Sequence, residues 1–194
     1  MRRCALLVYS SLCISLLVSG QAHGQQKADR TAKQSCRKFV QSFYDWYVRA
    51  TQNTGYEAAV KRRRSAFSPE LLRRLNEDLA AQKKVPGEIV GLDFDPFLNA
   101  QDIAPKYTVG KVHQKGDRYL VQVFGIWSGK KGEIPSVEPE LKRADGRWVF
   151  LNFHYHTDKK NPANENLLNV LKSLREERKK AHKPAERKGS GADK

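Results

Sequence analysis

Cysteine is scarce in this chain and poorly placed for cross-linking. Of the three cysteines, Cys4 and Cys13 fall within the first two dozen residues and leave Cys36 for everything that follows. A single thiol cannot close an internal disulfide, so stability has to come from packing. With Phe39, Val40 and Phe43 at helical spacing around it, Cys36 reads as a packing residue. Long apolar runs are also missing. The longest, Ala5 to Val18, has 14 residues, too few to span a bilayer comfortably. It follows the basic start Met1-Arg2-Arg3 and precedes the small or polar residues ending in Ala22-His23-Gly24, the order of a secretory signal peptide. The expected cut follows Gly24, with a cut after Ala22 as the alternative. Neither early cysteine has the small-residue setting of a lipoprotein site. The sequence therefore predicts a periplasmic or secreted protein with no transmembrane segment in its mature chain.

Acidic residues are few. Lys and Arg number 36 against 21 Asp and Glu, a formal charge of +15 that becomes +13 once Arg2 and Arg3 leave with the leader. The excess gathers at Lys61, Arg62, Arg63 and Arg64, at Arg73-Arg74 and Lys83-Lys84, and along the tail from Lys172. Such a field suits an anionic partner or surface, and its plainer explanation is a solvated face. Zinc-finger spacing, an aromatic-rich RNA-binding signature and a recognition-helix pattern are all missing, and export argues against a role on the genome, so nucleic acid is not the expected partner. No Gly-x-Ser-x-Gly elbow occurs, and no internal repeat is visible.

The elements present divide the chain by periodicity. After a polar, flexible stretch over 25–34, Cys36, Phe39, Val40, Phe43, Tyr47 and Val48 recur at three- and four-residue intervals and predict a helix over 35–51. Asn53-Thr54-Gly55 closes it, and a second, basic helix covers 56–65. Ser68-Pro69-Glu70 opens a third: the Ser hydroxyl can cap free amides and Pro loses nothing at the first position. Leu71, Leu72, Leu75 and Leu79 give this helix a face, and Pro86-Gly87 ends it. Residues 91–101, GLDFDPFLNAQ, hold too many turn formers for regular structure and too many large apolar residues for a linker. They read as an ordered loop pinned by Phe94, Phe97 and Leu98. The period then becomes two: 107–113 and 118–125 form one hairpin, 137–143 and 147–155 another across Asp145-Gly146, with a mobile link at 128–136. A last helix covers 164–180, and the basic end from 182 to 194 reads as disordered. One α+β domain over 35–181 is expected, N-terminal helices packed on an antiparallel sheet of at least four strands with a C-terminal helix.

Four stretches carry a family resemblance. They are Phe39-Val40-Gln41-Ser42-Phe43-Tyr44-Asp45-Trp46-Tyr47, Ser68-Pro69-Glu70-Leu71, the run from Leu92 to Asp102, and Trp148-Val149-Phe150-Leu151-Asn152-Phe153. In order and spacing they resemble the bacterial family called domain of unknown function 3828. The resemblance implies a cone-shaped fold like that of nuclear transport factor two (cystatin-like), with a curved sheet and a pocket under the helices. It implies no activity and transfers no catalytic residue.

Asp93, Asp95, Asn99 and Asp102 are oxygen donors beside buried phenylalanines and are candidates for a ligand site at a pocket mouth. They fail as a calcium loop, since Phe97 holds a ligand position, Leu98 stands where the turn glycine belongs, and no terminal Glu follows. The competing explanation is that they cap the loop backbone. His154 and Asn152 share a face of the last strand with His156. A zinc site would need a third ligand, and only His113 is in view. Trp127 precedes the 128–132 glycine- and lysine-containing stretch and is expected to overhang an opening. No metal or cofactor is expected. These features point to an exported binding module for a small ligand or a protein partner. Two rivals remain: a hydrolase or isomerase using Asp95 or Asp102 with His154, and an envelope factor attached to anionic surfaces through Lys61 to Arg64.

Overall fold

The computed structural model describes residues 18–50, 55–85, 90–156 and 165–181. Most of the expected leader, the helix stops at 51–54 and 86–89, and the tail from 182 lie outside the described residues.

Helix α1 spans Val18–Ala50. Its buried residues Cys36, Val40, Phe43, Tyr44 and Tyr47 are the predicted stripe. The helix begins well before that stripe, so 25–34 is helical instead of irregular. Neither Gly nor Pro interrupts 25–50, and Lys33 pairs with Asp29 one turn back at 2.7 Å, so local propensity continues the helix where hydrophobic spacing gives no signal. The basic helix breaks at Arg63 into α2, Glu57–Arg62, and a 3-10 turn, Arg64–Ala66. Helix α3, Pro69–Gln82, starts as predicted, with Ser68 Oγ accepting the Leu71 amide at 3.3 Å.

The sheet contains β1 (Lys106–Lys115), β2 (Arg118–Trp127), β3 (Lys130–Lys131), β4 (Val137–Ala144) and β5 (Arg147–Tyr155), and α4 (Leu167–Ala181) follows. All pairings are antiparallel, in the order β1-β2-β4-β5, with β3 attached to the end of β2. The fold is α+β, with N-terminal helices, an antiparallel sheet of five strands and a C-terminal helix. Asp145 and Gly146 both take positive φ, 50° and 75°, so the Asp-Gly hairpin is built as its sequence predicts.

The link at 128–136, expected to be mobile, returns along β2 instead. Ser128 and Gly129 take φ of 47° and 77°, Trp127 faces Lys130, and Ile126 faces Lys131. Gly132 N–H donates to Gly125 O at 3.0 Å, and Ser136 N–H to Val123 O at 2.8 Å. Ser-Gly at a two-residue turn was the available signal; two residues are too few to show strand periodicity.

Side chains and short segments cover both sheet edges. Along β1, Arg37 donates to Val109 O and Gly110 O, while Gln41 donates to Tyr107 O at 3.1 Å and accepts from Val109 N at 2.9 Å. On the β5 side, Ser68 N–H donates to Phe150 O at 2.8 Å and Tyr155 N–H to Glu165 O at 3.0 Å. These contacts satisfy groups that would otherwise invite another strand. Between α1, α3 and the sheet lies a core centred on aromatics, in which Phe97 meets Phe43, Tyr47, Tyr56, Phe67 and Phe153 at ring distances of 5.9, 5.3, 6.5, 5.2 and 4.8 Å.

Candidate functional site

The loop at 91–104 lies at one end of this core. Phe97 and Leu98 are fully buried, and Phe94 packs edge-on against Tyr155 at 5.5 Å. Four tyrosine hydroxyls fasten its backbone and its one engaged carboxylate. Tyr44 donates to Phe97 O at 2.8 Å, Tyr155 to Pro96 O at 3.0 Å and Tyr47 to Asp95 Oδ2 at 2.6 Å, while Tyr107 Oη accepts from Ala104 N at 3.3 Å. Sequence reading places Tyr44 and Tyr47 in the core but misses this fastening. A buried tyrosine needs a hydroxyl partner, which was the only clue available.

The loop carboxylates have different roles. Asp95 Oδ1 accepts from Phe97 N at 2.9 Å and Leu98 N at 3.1 Å, and its other oxygen takes the Tyr47 proton. Burial pushes this carboxyl up to about 6, although those three donors favour its charged form. Asp95 caps the loop, as the competing explanation required. Asn99 takes φ of 51° and donates to Ser136 O at 3.1 Å, joining the loop to the start of β4. Asp93 and Asp102 are exposed.

These environments predict unequal substitutions. Asp95→Ala strands two loop amides and should cost about 1–3 kcal/mol, whereas Asp102→Ala should fall within about 0.5 kcal/mol of the parent. Asp95→Asn keeps an acceptor for the amides. Because the folded carboxyl has a raised pKa, the native state holds a proton between about pH 4 and 6 that the unfolded chain has lost, so the acid's contribution declines as pH rises through that window. The difference in Tm between Asp95→Asn and the parent should therefore move in favour of Asp95→Asn from pH 4 to pH 7. A pH-independent difference contradicts this assignment.

An open cleft of about 720 Å³ flanks the loop, lined by Tyr56, Gln82, Leu92, Phe94, Asp95 and Ile103 among others. On the loop's other side stands Trp127. A methyl group added to Gly125 would lie 3.2 Å from Ala104 Cβ and 3.5 Å from Trp127 Nε1, so the indole and the loop's end meet over one point of β2. Trp127 is 52% exposed and Ile134, on the same excursion, 68%.

Asn152 and His154 lie elsewhere. Asn152 is buried; its Oδ1 accepts from Phe153 N at 3.0 Å and Leu168 N at 3.1 Å, and its Nδ2 donates to Asn166 Oδ1 at 2.9 Å. Its amide thus ties β5 to the start of α4. His154 Nε2 is 3.0 Å from Glu140 Oε2, Arg118 is 2.6 Å from the other oxygen, and His156 is 3.3 Å from Glu138. The His154 contact, with help from Arg118, holds the Glu140 carboxyl down at about 2 against the effect of burial. Arg118, Glu140 and Asn152 line a second cleft of about 710 Å³ with Lys142 and Arg147. Among the described residues no hydrogen bond or ion pair joins His154 to Asp95 or Asp102, and no three His, Cys, Asp or Glu side chains cluster as metal ligands would. The acid–imidazole pairing behind the enzyme reading is therefore not brought together. Cys36 is fully buried and its thiol is pushed up to about 12, leaving it protonated and unreactive.

The run from Lys61 to Arg64 divides. Lys61 pairs with Glu57 at 2.9 Å, Arg63 stacks 4.7 Å from the Trp46 ring centre, and Arg62 and Arg64 are exposed. Sequence reading overlooked Asp78, which is fully buried in α3. It accepts from Tyr56, Gln82 and Leu92 N at 2.9, 2.9 and 3.1 Å and from Arg178 of α4 at 2.9 Å.

No family model matches the chain, and no curated protein matches it in sequence. Two solved structures resemble it. A chain of the type VI native effector-immunity complex Tae3-Tai3 from Ralstonia pickettii is 23% identical, with 61% of this chain and 93% of that chain covered and a TM-score of 0.44. The selenomethionine form of that complex gives 21% identity, 62% and 96% coverage and the same TM-score of 0.44.

Among the described residues no helix is long and apolar enough to cross a membrane.

Proposed function

We propose that this chain is an exported, non-enzymatic binding module that holds a protein partner on the face formed by the 91–104 loop and the Trp127 hairpin. The carrying observation is the exposure of Trp127 and Ile134, the two exposed large apolar side chains among the described residues, on one excursion held by β3 pairing and by Asn99. Tryptophan on a rigid mount is a common anchor of protein interfaces, because little conformational freedom remains to be lost on binding. Lys130 and Lys131 share the hairpin and Lys106 faces Ile126 from β1, against one exposed carboxylate on the excursion, Glu133, so the charge around the apolar pair is positive on balance. A partner with an acidic rim fits this surface. Export rests on the basic start, the apolar run and the small residues after it.

The double variant Trp127→Ser/Ile134→Ser tests the reading. Both side chains are exposed, so its Tm should stay close to the parent's. In envelope extracts of the native host the parent should elute as a complex larger than the free chain, and the variant as the free chain. Persistence of the complex in the variant contradicts the assignment.

A further inference from the structure

A second surface, on α1 beside the β1 edge, gathers three cations that no described carboxylate pairs. A cleft of about 470 Å³ lies among Lys38, Gln41, Asp45, Trp46, Arg49 and Arg63. Some cations elsewhere, among them Lys33, Lys61, Arg73, Lys83, Arg118 and Arg178, have a carboxylate within reach. Lys38, Arg49 and Arg63 form no ion pair with a described residue, and the cleft's one carboxylate, Asp45, accepts from Gln41 at 2.8 Å. The Arg63 guanidinium is fixed by its stacking on Trp46, 4.7 Å from the ring centre, and its planar set of N–H donors remains free for a carboxylate.

We propose that this cleft binds an acidic segment of a protein, laid out in extended form along α1 with its carboxylates about five residues apart. The spacing follows from the helix. Lys38 and Arg49 are eleven positions apart, roughly 16 Å at about 1.5 Å per residue, which about five extended residues span at ~3.3 Å each. Asp45 lies between the two cations and repels a continuous polyanion such as nucleic acid, whereas a peptide with neutral central residues passes it. A lipid surface fits less well, since Trp127 and Ile134 are the exposed large apolar side chains among the described residues and neither lines this cleft. A smaller cleft of about 260 Å³ at Arg49, Pro105 and Lys106 continues the basic path towards the start of β1. The choice of a protein ligand rests on the proposed function; the site itself does not share residues with the Trp127 hairpin.

The test uses the full chain labelled with nitrogen-15 and the blocked hexapeptide Glu-Gly-Ser-Gly-Ser-Glu, with the indole N–H signals of Trp46, Trp127 and Trp148 assigned by Trp→Phe variants. Titration at millimolar concentrations should move the Trp46 signal and leave Trp127 in place. Arg63→Gln should weaken binding at least about tenfold, as loss of a charge-assisted contact does, and so should Lys38→Gln with Arg49→Gln. If Arg63→Gln lowers Tm, the exposed Lys38/Arg49 pair decides the matter. Trp127→Ser/Ile134→Ser should bind the peptide as the parent does, which separates failure of this site from failure of the hairpin surface. The proposal is overturned by no movement of Trp46, by equal binding of the Gln-for-Glu peptide, by unchanged binding in the variants, or by tighter binding of a thymidine oligonucleotide or of phosphatidylglycerol vesicles than of the peptide.

Discussion

Truncating Phe97 to Ala is expected to remove about 3–5 kcal/mol from the unfolding free energy, the cost of emptying a large aromatic site in a packed core. Phe97 is a loop residue by position, yet it is fully buried and its ring contacts reach α1, α2's entry at Tyr56, the segment before α3 at Phe67, and β5 at Phe153. Its ring is held among four segments, so the remaining structure cannot collapse into the space without moving several of them. Denaturant unfolding followed by circular dichroism measures the loss. A cost below about 1.5 kcal/mol would show that the cavity closes and that the loop does not depend on this anchor.

A loss of similar size, about 3–5 kcal/mol, is expected for Asp78→Ala, because a buried charge network loses its centre. Arg178 Nη1, the Tyr56 hydroxyl and the Leu92 amide would all lose the carboxylate that now accepts them. Replacing both members of the ion pair, Asp78→Ala with Arg178→Met, should be less damaging than Asp78→Ala alone, since no cation is then left stranded. Equal or greater damage in the double variant would place the stabilising role in the guanidinium's contacts beyond Asp78, among them its bond to Val90 O at 2.9 Å.

Features governed by local spacing were readable in advance. Alternation located all four long strands within two residues, Asp145-Gly146 supplied its hairpin turn, and Ser68-Pro69 set the start of α3. The mixture of turn formers and phenylalanines over 91–101 correctly suggested an ordered loop with Phe97 and Leu98 inside. What escaped were features that depend on a distant partner. Asp78 looks like the polar side of an amphipathic helix until Arg178, one hundred residues later, is packed against it. Asn152 shares a strand face with His154 in sequence, but becomes a clamp only when α4 begins beside it. Asp95 and Asp102 look alike as loop acids; the Tyr47 hydroxyl and two loop amides engage the first and leave the second exposed.

The most direct measurement of the account is site-specific photo-crosslinking in the native host. A photoreactive amino acid is placed at Ile134, on the hairpin, or at Lys172, on the exposed side of α4. The account predicts one discrete adduct from position 134 that disappears when Trp127→Ser is added, and no such adduct from position 172. The same adducts from both positions, or none from 134, would contradict the hairpin as the partner surface.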